Sequence, residues 1–385
     1  MGREEGAQVR RHVADLIVQP DDGIAPVVSA IQKAKTSIDV GIFRLDRSDV
    51  AKALRAAVAR GVTVRTLIAH TNRGGNKRLR KLEQDLLKTG ASVRRTDDDL
   101  RRYHNKIMIV DRTTLYVLGF NYTALDVNKS RSFGVVTRKR KLVKAAIRLF
   151  EADSLRRPYK PGPKAFVVSP LNSRERLAAF LRGARRQLLV YDPRLTDPAM
   201  IRILKERASA GVKVLILGKV GKRGASLKAE KFPGKRLHVR AIVRDRQQAF
   251  VGSQGLRKLE LDGRREVGVI VKERAIVTRM AAVFQADWAL TKAARKDIAK
   301  DEKAGVVLET RPVKPETKEA VAKVEVQEAK AEAKEARVEA QAEEAEAKAA
   351  RVEAEKAEAA ARDARVEAQQ AEAKVEAKAQ ALAEA

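Results

Sequence analysis

The sequence predicts an α/β protein made of two pseudo-symmetric α/β/α sandwich lobes followed by a long Ala/Glu/Lys-rich C-terminal helix. Three observations lead to this prediction. Strand-type runs alternate with helical periodicity over the first part of the chain, the same order returns after a proline-rich stretch, and a low-complexity tail follows. The predicted boundaries are 1–155 for the first lobe, 164–300 for the second lobe, and 301–385 for the linker and helical tail.

The first lobe begins with the strand-type run DLIVQP and the segment GIAPVVSAIQKAK, whose apolar residues have helical spacing. SIDVGIFRL is typical of a second strand, and SDVAKALRAAVARG of a helix that ends at Gly61. VTVRTLIAH predicts a third strand, before a basic helix near 76–89 and the short segment ASVRRT. Such alternation predicts a sheet covered by helices.

The second lobe repeats this order. RRPYKPGPK, from Arg156 to Lys164, contains three prolines and a glycine, which is typical of an interdomain linker. Beyond it, AFVVSP matches DLIVQP, and RERLAAFLRGARRQLLVYD matches PVVSAIQKAKTSIDVGIF. PAMIRILKERASAGVKVLIL then matches SDVAKALRAAVARGVTVRTLI. We therefore interpret the chain as a duplicated unit of roughly 130–150 residues.

The tail from Lys318 consists mainly of Ala, Glu and Lys. Valines recur at every second heptad and fix one apolar heptad position, whereas the position three further along is polar throughout. Two interpretations stay open, namely an oligomerising coiled coil that mediates protein contacts and a solvated helix held by charge pairs. We favour the solvated helix.

The composition is strongly basic. Among 385 residues, 81 Lys and Arg stand against 50 Asp and Glu, for a net charge of +31, and the tail itself is net acidic. A basic body attracts polyanions, which include an anionic phospholipid or membrane surface and nucleic acid. A generally arginine-rich proteome is the alternative explanation.

The absence of cysteine and of long apolar runs excludes several classes of protein and site. The absence of cysteine excludes disulfides and thiolate metal sites. The N-terminal segment lacks the apolar core of a secretory signal, and no apolar run reaches the about 18 residues of a transmembrane segment. We therefore expect a cytoplasmic protein, either free or peripheral at the membrane.

The most informative pattern is the octapeptide HNKIMIVD, which starts at His104 and returns at His238 as HVRAIVRD. In a strand, residues two apart face the same side, so each histidine projects together with the cation two positions later. A glycine and an amide side chain follow each copy, at Gly119 and Asn121 and then at Gly252 and Gln254. The candidate site residues of the two copies are His104, Lys106, Asp111, His238, Arg240 and Asp245, and Glu266 follows 28 residues after His238.

This doubled pattern resembles the phospholipase D superfamily, whose mark is H-x-K-x-x-x-x-D in two copies, each followed by G-x-N or a variant. The resemblance covers about residues 14–290. It implies a phosphodiesterase that needs no metal and no cofactor, in which one histidine attacks phosphorus and the other protonates the leaving alcohol. His104 is taken as the nucleophile because its copy is intact, and His238 as general acid and then base.

The resemblance also implies roles for the surrounding residues. The candidate ligands of the phosphate oxygens are Lys106, Asn121, Arg240 and Gln254. Glu266 is expected to orient His104 from the other copy, whereas Ser132 stands where a carboxylate would serve His238. The missing carboxylate is expected to lower the pKa of His238.

Other residues receive simpler interpretations. Asp111 and Asp245 close the motif strands and are better explained by turn structure than by chemistry, although they belong to the motif. His12 and His70 have no counterpart in the other copy, and Trp288 lies in an amphipathic segment as a core residue would.

Three functions from different classes stay open. The favoured one is hydrolysis or transphosphatidylation of phospholipids. The alternatives are a metal-independent nuclease of the same superfamily and a degenerate protein that binds phosphodiesters without turnover, because Arg240 replaces the motif lysine.

Overall fold

The computed structural model describes residues 14–70, 76–96 and 102–295. His12 and the predicted C-terminal helix lie outside the described residues.

The elements of the first lobe alternate between strands and helices, as the hydrophobic periodicity predicts. In the described ranges they are β1 (Ala14–Gln19), α1 (Ala25–Lys33), β2 (Ser37–Gly41), α2 (Ser48–Ala59), β3 (Thr63–Ile68), α3 (Asn76–Leu87), β4 (Ser92–Arg95), β5 (Arg102–Tyr103), β6 (Ile107–Val110), β7 (Thr114–Leu118), α4 (Ala124–Asn128), β8 (Ser130–Thr137) and α5 (Arg140–Ser154).

The second lobe repeats this succession, with a short 3₁₀ turn at Lys222–Gly224 where the first lobe has α3. Its elements are β9 (Phe166–Val168), α6 (Ser173–Arg182), β10 (Gln187–Leu195), α7 (Pro198–Ser209), β11 (Lys213–Val220), β12 (Lys228–Glu230), β13 (Arg236–Leu237), β14 (Arg240–Arg244), β15 (Gln248–Gly252), α8 (Lys258–Asp262), β16 (Arg264–Arg265), β17 (Val267–Val271) and α9 (Arg274–Ala289).

Each lobe contains one mixed sheet, and the two sheets have matching strand orders. The first runs β1-β8-β7-β6-β2-β3-β4 and the second runs β9-β17-β15-β14-β10-β11-β12. In both sheets the last three strands are parallel and the other pairings are antiparallel. The predicted duplicated α/β architecture is therefore confirmed.

Three apolar clusters hold these layers together. One packs α1 and α2 against the outer face of the first sheet, and a second packs α6 and α7 against the second sheet. The third is shared, because it contains side chains of both sheets together with α5 and α9. Trp288 is partly buried against this shared core. The lobes thus form a single packed body around a common interior.

Two short strands cross from one lobe to the other. β5 of the first lobe pairs in parallel with β16, and β13 of the second lobe pairs in parallel with β8. Each crossing strand directly precedes a motif histidine. The exchange is reciprocal, so it ties the start of each motif to a strand of the other copy.

A matched pair of buried ion pairs reinforces the exchange. The Arg131 guanidinium contacts Asp287 at 2.8 Å, and the Arg265 guanidinium contacts Asp153 at 3.1 Å. Each arginine comes from the β8 or β16 edge of one lobe, and each aspartate from the last helix of the other. These contacts fix the relative position of the two lobes at the residues next to the motifs.

Candidate active site

The backbone amides of the two motif histidines are bound by the opposite lobes. The N–H of His104 donates to the carbonyl of Arg265 at 2.9 Å, and the N–H of His238 donates to the carbonyl of Arg131 at 3.2 Å. Both contacts continue the pairing of the crossing strands. Each histidine is therefore held by its backbone at the seam between the lobes, and the residue that follows its partner in the other copy is Glu266 or Ser132.

That next residue is Glu266 for His104. The Nδ1 atom of His104 lies 2.9 and 3.0 Å from the two oxygens of Glu266, and the ring meets Phe43 edge-on at 4.7 Å. The expected contact across the two lobes is present, while its role in a reaction stays a prediction. A carboxylate that accepts from Nδ1–H leaves the ring's lone pair on Nε2, which lies 3.3 Å from the Nζ atom of Lys106.

The electrostatic surroundings keep His104 uncharged. Its side chain is 9% exposed. Burial, followed by the nearby charges of Lys106 and Arg102, lowers the pKa of His104 well below its ordinary value. At neutral pH the imidazole is neutral, which is the form that a nucleophile requires.

Lys106 and Glu266 form a buried pair of opposite charge next to this ring. The Nζ atom of Lys106 donates to the carbonyl of His104 at 2.7 Å. Burial lowers the pKa of Lys106 to about 7, although Glu266 opposes the shift. Burial, aided by the charge of Glu260, raises the pKa of Glu266 to about 7, although Lys106 opposes it. The protonation of this pair is therefore poised near neutral pH.

His238 has a different carboxylate neighbour, which the sequence interpretation missed. The Oδ2 atom of Asp126 lies 3.6 Å from Nδ1 of His238, and this Nδ1 has no hydrogen-bond partner among the described residues. Burial lowers the pKa of His238 well below its ordinary value, whereas the charge of Asp126 raises it. The expectation that Ser132 leaves His238 without a nearby carboxylate is therefore corrected.

Asp126 is held firmly in this position. It is 3% exposed and its Oδ2 accepts from the backbone N–H and the side-chain amide of Asn121 at 2.9 and 2.8 Å. Its Oδ1 accepts from Arg236 at 2.7 Å. Burial works against ionisation, but His238, Arg236 and these amides outweigh it and hold the pKa of Asp126 well below its usual range. Asp126 is thus a fixed negative charge beside His238.

The equivalent position of the second lobe is Glu260, and it binds the arginine that replaces the motif lysine. The two oxygens of Glu260 lie 3.2 and 3.3 Å from the Arg240 guanidinium, and one of them accepts the N–H of Gly255 at 2.6 Å. Burial would lower the pKa of Arg240, but Glu260 outweighs it, so the cation is permanent. Asp126 and Glu260 are as far apart along the chain as the two motif histidines, so the repeat spacing could have revealed both.

The strand register corrects the assignment of Gln254. Arg240 pairs with Gly252 in β14–β15, and the N–H of Leu118 donates to the carbonyl of Lys106 in the first lobe. Gly252 is therefore the counterpart of Leu118, whereas the sequence pattern had matched it with Gly119. The following residues fit the corrected alignment, since Asn121 and Gly255 both donate their backbone N–H to the carboxylate of the next helix.

Gln254 consequently lies at the place of Phe120, inside its own lobe. It is fully buried and its amide donates to the carbonyl of Val167 at 3.2 Å. The amide therefore faces strand β9 of its own lobe. The second lobe has Gly255 where the first has Asn121, so the amide predicted to bind phosphate is present in one copy only.

The motif aspartates lie at the far ends of their strands from the histidines. Asp111 accepts three backbone N–H groups from residues 35–37, and Asp245 accepts three from residues 185–187. Both have positive φ, at 51° and 53°. They fix the loop before the second strand of each sheet, and this position gives them a structural role rather than the catalytic one that the motif suggested.

The remaining site residues form one cluster of charges and rings. The charges of Lys106 and Arg240 each lower the pKa of both His104 and His238, so the four groups lie within electrostatic range of one another. No group of His, Asp and Glu within residues 14–70, 76–96 and 102–295 has the arrangement of a metal site. Two imidazoles flanked by two cations can hold the anionic oxygens of a phosphodiester and exchange protons with it.

A family profile described as "Cardiolipin synthase, PLD-like domain" matches residues 27–154 and 177–288. The two matched ranges correspond to the two copies of the motif. No curated protein sequence matches the chain significantly.

Among solved structures, polyphosphate kinase from Porphyromonas gingivalis is similar with a TM-score of 0.59 and 17% identity, over 71% of this chain and 50% of the kinase. This chain thus spans half of that enzyme's length. Phosphatidylserine synthase from Haemophilus influenzae Rd KW20 has a TM-score of 0.54 and 10% identity, over 74% of this chain and 88% of the synthase. The phospholipase D family member Nuc from Salmonella typhimurium matches 39% of this chain and 99% of its own, with 25% identity and a TM-score of 0.34. The first two similarities concern the fold alone.

Proposed function

Because the chain belongs to the family of cardiolipin synthase, PLD-like domains, and hence to the phospholipase D superfamily, we propose that it is a phosphodiesterase that acts on phospholipids through a phosphohistidine. The observation that carries the proposal is the reciprocal strand exchange. It binds His104 and His238 to opposite lobes and leaves Lys106 and Arg240 acting on both imidazoles.

In the first step, Nε2 of His104 forms a bond to phosphorus while the bond from phosphorus to the leaving alcohol oxygen breaks. The alcohol oxygen takes a proton from His238, which becomes neutral. The anchored Nδ1 of His104 supports this assignment, because Glu266 stabilises the positive charge that develops on the ring. Asp126 stabilises the protonated form of His238 that the step requires.

In the second step, His238 accepts a proton from water, and the water oxygen attacks phosphorus. The bond to Nε2 of His104 breaks, and the products are the phosphomonoester and the regenerated imidazole. A second alcohol in place of water gives transphosphatidylation by the same steps. Lys106 and Arg240 bind the non-bridging oxygens and stabilise the charge that develops on them.

The choice of phospholipids rests on two supports. The family description carries the name of a phospholipid enzyme. The net charge of +31 favours an anionic surface, which fits a peripheral association with membranes. No helix among the described residues combines the length and the apolar character that a bilayer crossing needs. The same charge favours nucleic acid as the second candidate substrate.

The test offers the full-length protein four substrates in the presence of EDTA. They are a chromogenic phosphodiester, anionic vesicles, zwitterionic vesicles and single- or double-stranded DNA. Release of a lipid head group supports the proposal, cleavage of DNA alone supports the nuclease alternative, and binding without turnover supports a degenerate binding protein. His104→Ala should abolish turnover, whereas Lys144→Ala, on the exposed side of α5, should not.

The order of the two histidines is tested with an activated diester, whose leaving group needs no general acid. His238→Ala should then form the phosphoenzyme and accumulate it, because no base activates water. The trapped bond should be labile in acid and stable in alkali, as expected of a phosphorus–nitrogen bond. Accumulation in His104→Ala instead would reverse the two assignments.

A further inference from the structure

The second lobe contains a cavity at the corner between its sheet and α9, away from the motif residues. The cavity has a volume of about 270 Å³. Its buried floor is apolar, and lysines from two adjacent strands lie at its exposed mouth. Leu189, Leu215, Phe284 and Trp288 line the cavity, and Lys213 and Lys228 lie at its mouth.

The first lobe shows what this corner looks like when it is filled. Strand pairing places Asp39 opposite Arg65 in β2–β3 and Leu189 opposite Leu215 in β10–β11. In the first lobe the Arg65 guanidinium binds both oxygens of Asp39 at 2.6 and 2.8 Å. It also lies 5.3 Å from the ring centre of Phe150. An ion pair thus occupies the corner.

The second lobe has lost this ion pair and gained apolar surface. Leu189 and Leu215 stand at the places of Asp39 and Arg65, and both line the cavity. By the repeat spacing, Trp288 is the counterpart of Ser154. Its ring stacks on Phe284, with ring centres 5.9 Å apart and an interplanar angle of 13°. In the part of the chain that the structure describes, the corner is therefore a pocket with an aromatic wall.

The residues at the mouth also differ between the lobes, and each difference makes the second lobe more positive. Lys213 is the counterpart of Thr63, and Lys228 is the counterpart of Ser92. The same repeat spacing makes Gln285 the counterpart of Glu151, so a carboxylate of the first lobe is an amide in the second. Each substitution either adds a positive charge or removes a negative one, which favours an anion at the mouth.

We infer that this corner binds a single-chain amphiphile with an anionic head, its alkyl chain on the apolar floor and its head between the two lysines. Burial of the alkyl chain on the apolar floor removes its CH₂ groups from water, which favours binding. The head gains charge-assisted hydrogen bonds from the ammonium groups. A fatty acid and an alkyl phosphate share this chemistry, and the site does not depend on the proposed catalytic function.

The protein provides its own reporter, because Trp288 is the only tryptophan of the chain. The experiment titrates the full-length protein with decanoate or decyl phosphate below their micellar concentrations, or with decanol below its solubility limit, and records tryptophan fluorescence. A saturable change with decanoate or decyl phosphate at lower concentration than with decanol supports the site, and the stronger of the two identifies the head group. Equal binding of decanol, or no saturable change, overturns the inference.

Two variants separate the pocket from non-specific adsorption. Gln285→Glu restores the carboxylate of the first lobe at an exposed position and should weaken anion binding about threefold without affecting decanol. Leu189→Asp combined with Leu215→Arg copies the ion pair of the first lobe and should abolish all binding. If the double variant does not fold by circular dichroism, Gln285→Glu decides alone, since an unchanged anion affinity there contradicts the inference.

Discussion

The sharpest prediction concerns Asp126, which we regard as the positioning residue of His238. Asp126→Asn removes a negative charge that lies 3.6 Å from Nδ1 of the imidazole. Because that charge raises the pKa of His238, its loss lowers the pKa further and makes the protonated general acid scarcer. The rate of the first step should fall at neutral pH.

The size of the effect follows from the local charges. Opposite unit charges about 4 Å apart interact by about 4 kcal/mol at an effective dielectric constant of about 20. Arg236 contacts the other oxygen of Asp126 at 2.7 Å and offsets much of this. A net loss of about 1.4 to 2.8 kcal/mol remains, which corresponds to a decrease of about 10- to 100-fold in kcat/KM.

The assay is the pH dependence of kcat/KM with a natural, poorly activated diester. The alkaline limb reports loss of the protonated acid, so Asp126→Asn should move it to lower pH. Arg236→Gln is the matched control, because it breaks the same ion pair but removes a positive charge that lowers the pKa of His238. Its alkaline limb should move to higher pH. Shifts of both variants in the same direction, or an unchanged limb in Asp126→Asn, would refute the assignment.

Three further predictions follow from the same geometry. Lys106→Met should abolish turnover yet raise the free energy of unfolding at pH 6 by a few kcal/mol in chemical denaturation. Burial lowers the pKa of Lys106 from 10.5 to about 7, so the charge costs the folded state up to about 5 kcal/mol, and this cost is complete below about pH 7. An unchanged or lower stability would contradict this. Arg131→Gln should lower the free energy of unfolding by about 3 kcal/mol, because it leaves Asp287 charged and buried. The double variant with Asp287→Asn should recover part of this loss. Ser132→Glu should move the alkaline limb of His238 to higher pH, and an unchanged rate and pH profile would show that this position does not act on the imidazole.

Much of the fold was predictable from the sequence because its signals are local. The alternation of apolar runs and helical periodicity, and its return in the second lobe, indicated the element order and the duplication. The resemblance to the phospholipase D superfamily implied that Glu266 meets His104, a contact that the structure contains. The element order and the duplication, by contrast, needed only periodicity and a repeat.

The errors arose where contacts depend on strand register. The counterpart of Gln254 in the first lobe was misassigned by one residue. The sequence pattern matched Gly252 with Gly119, whereas the strand pairing matches Gly252 with Leu118. The carboxylate next to His238 was missed because Asp126 comes from a helix of the other lobe. Neither relationship is visible in a linear motif.

Residue types and their order along the chain were sufficient to establish the duplicated α/β architecture, the two histidine motifs and the excess of positive charge. The folded arrangement was needed to learn which carboxylate serves which histidine, where the motif aspartates and Gln254 point, and that one corner is filled in the first lobe and open in the second. Burial, charge and hydrogen bonding act over a few ångströms between residues that are distant in the sequence, and the crossing strands bring those residues together.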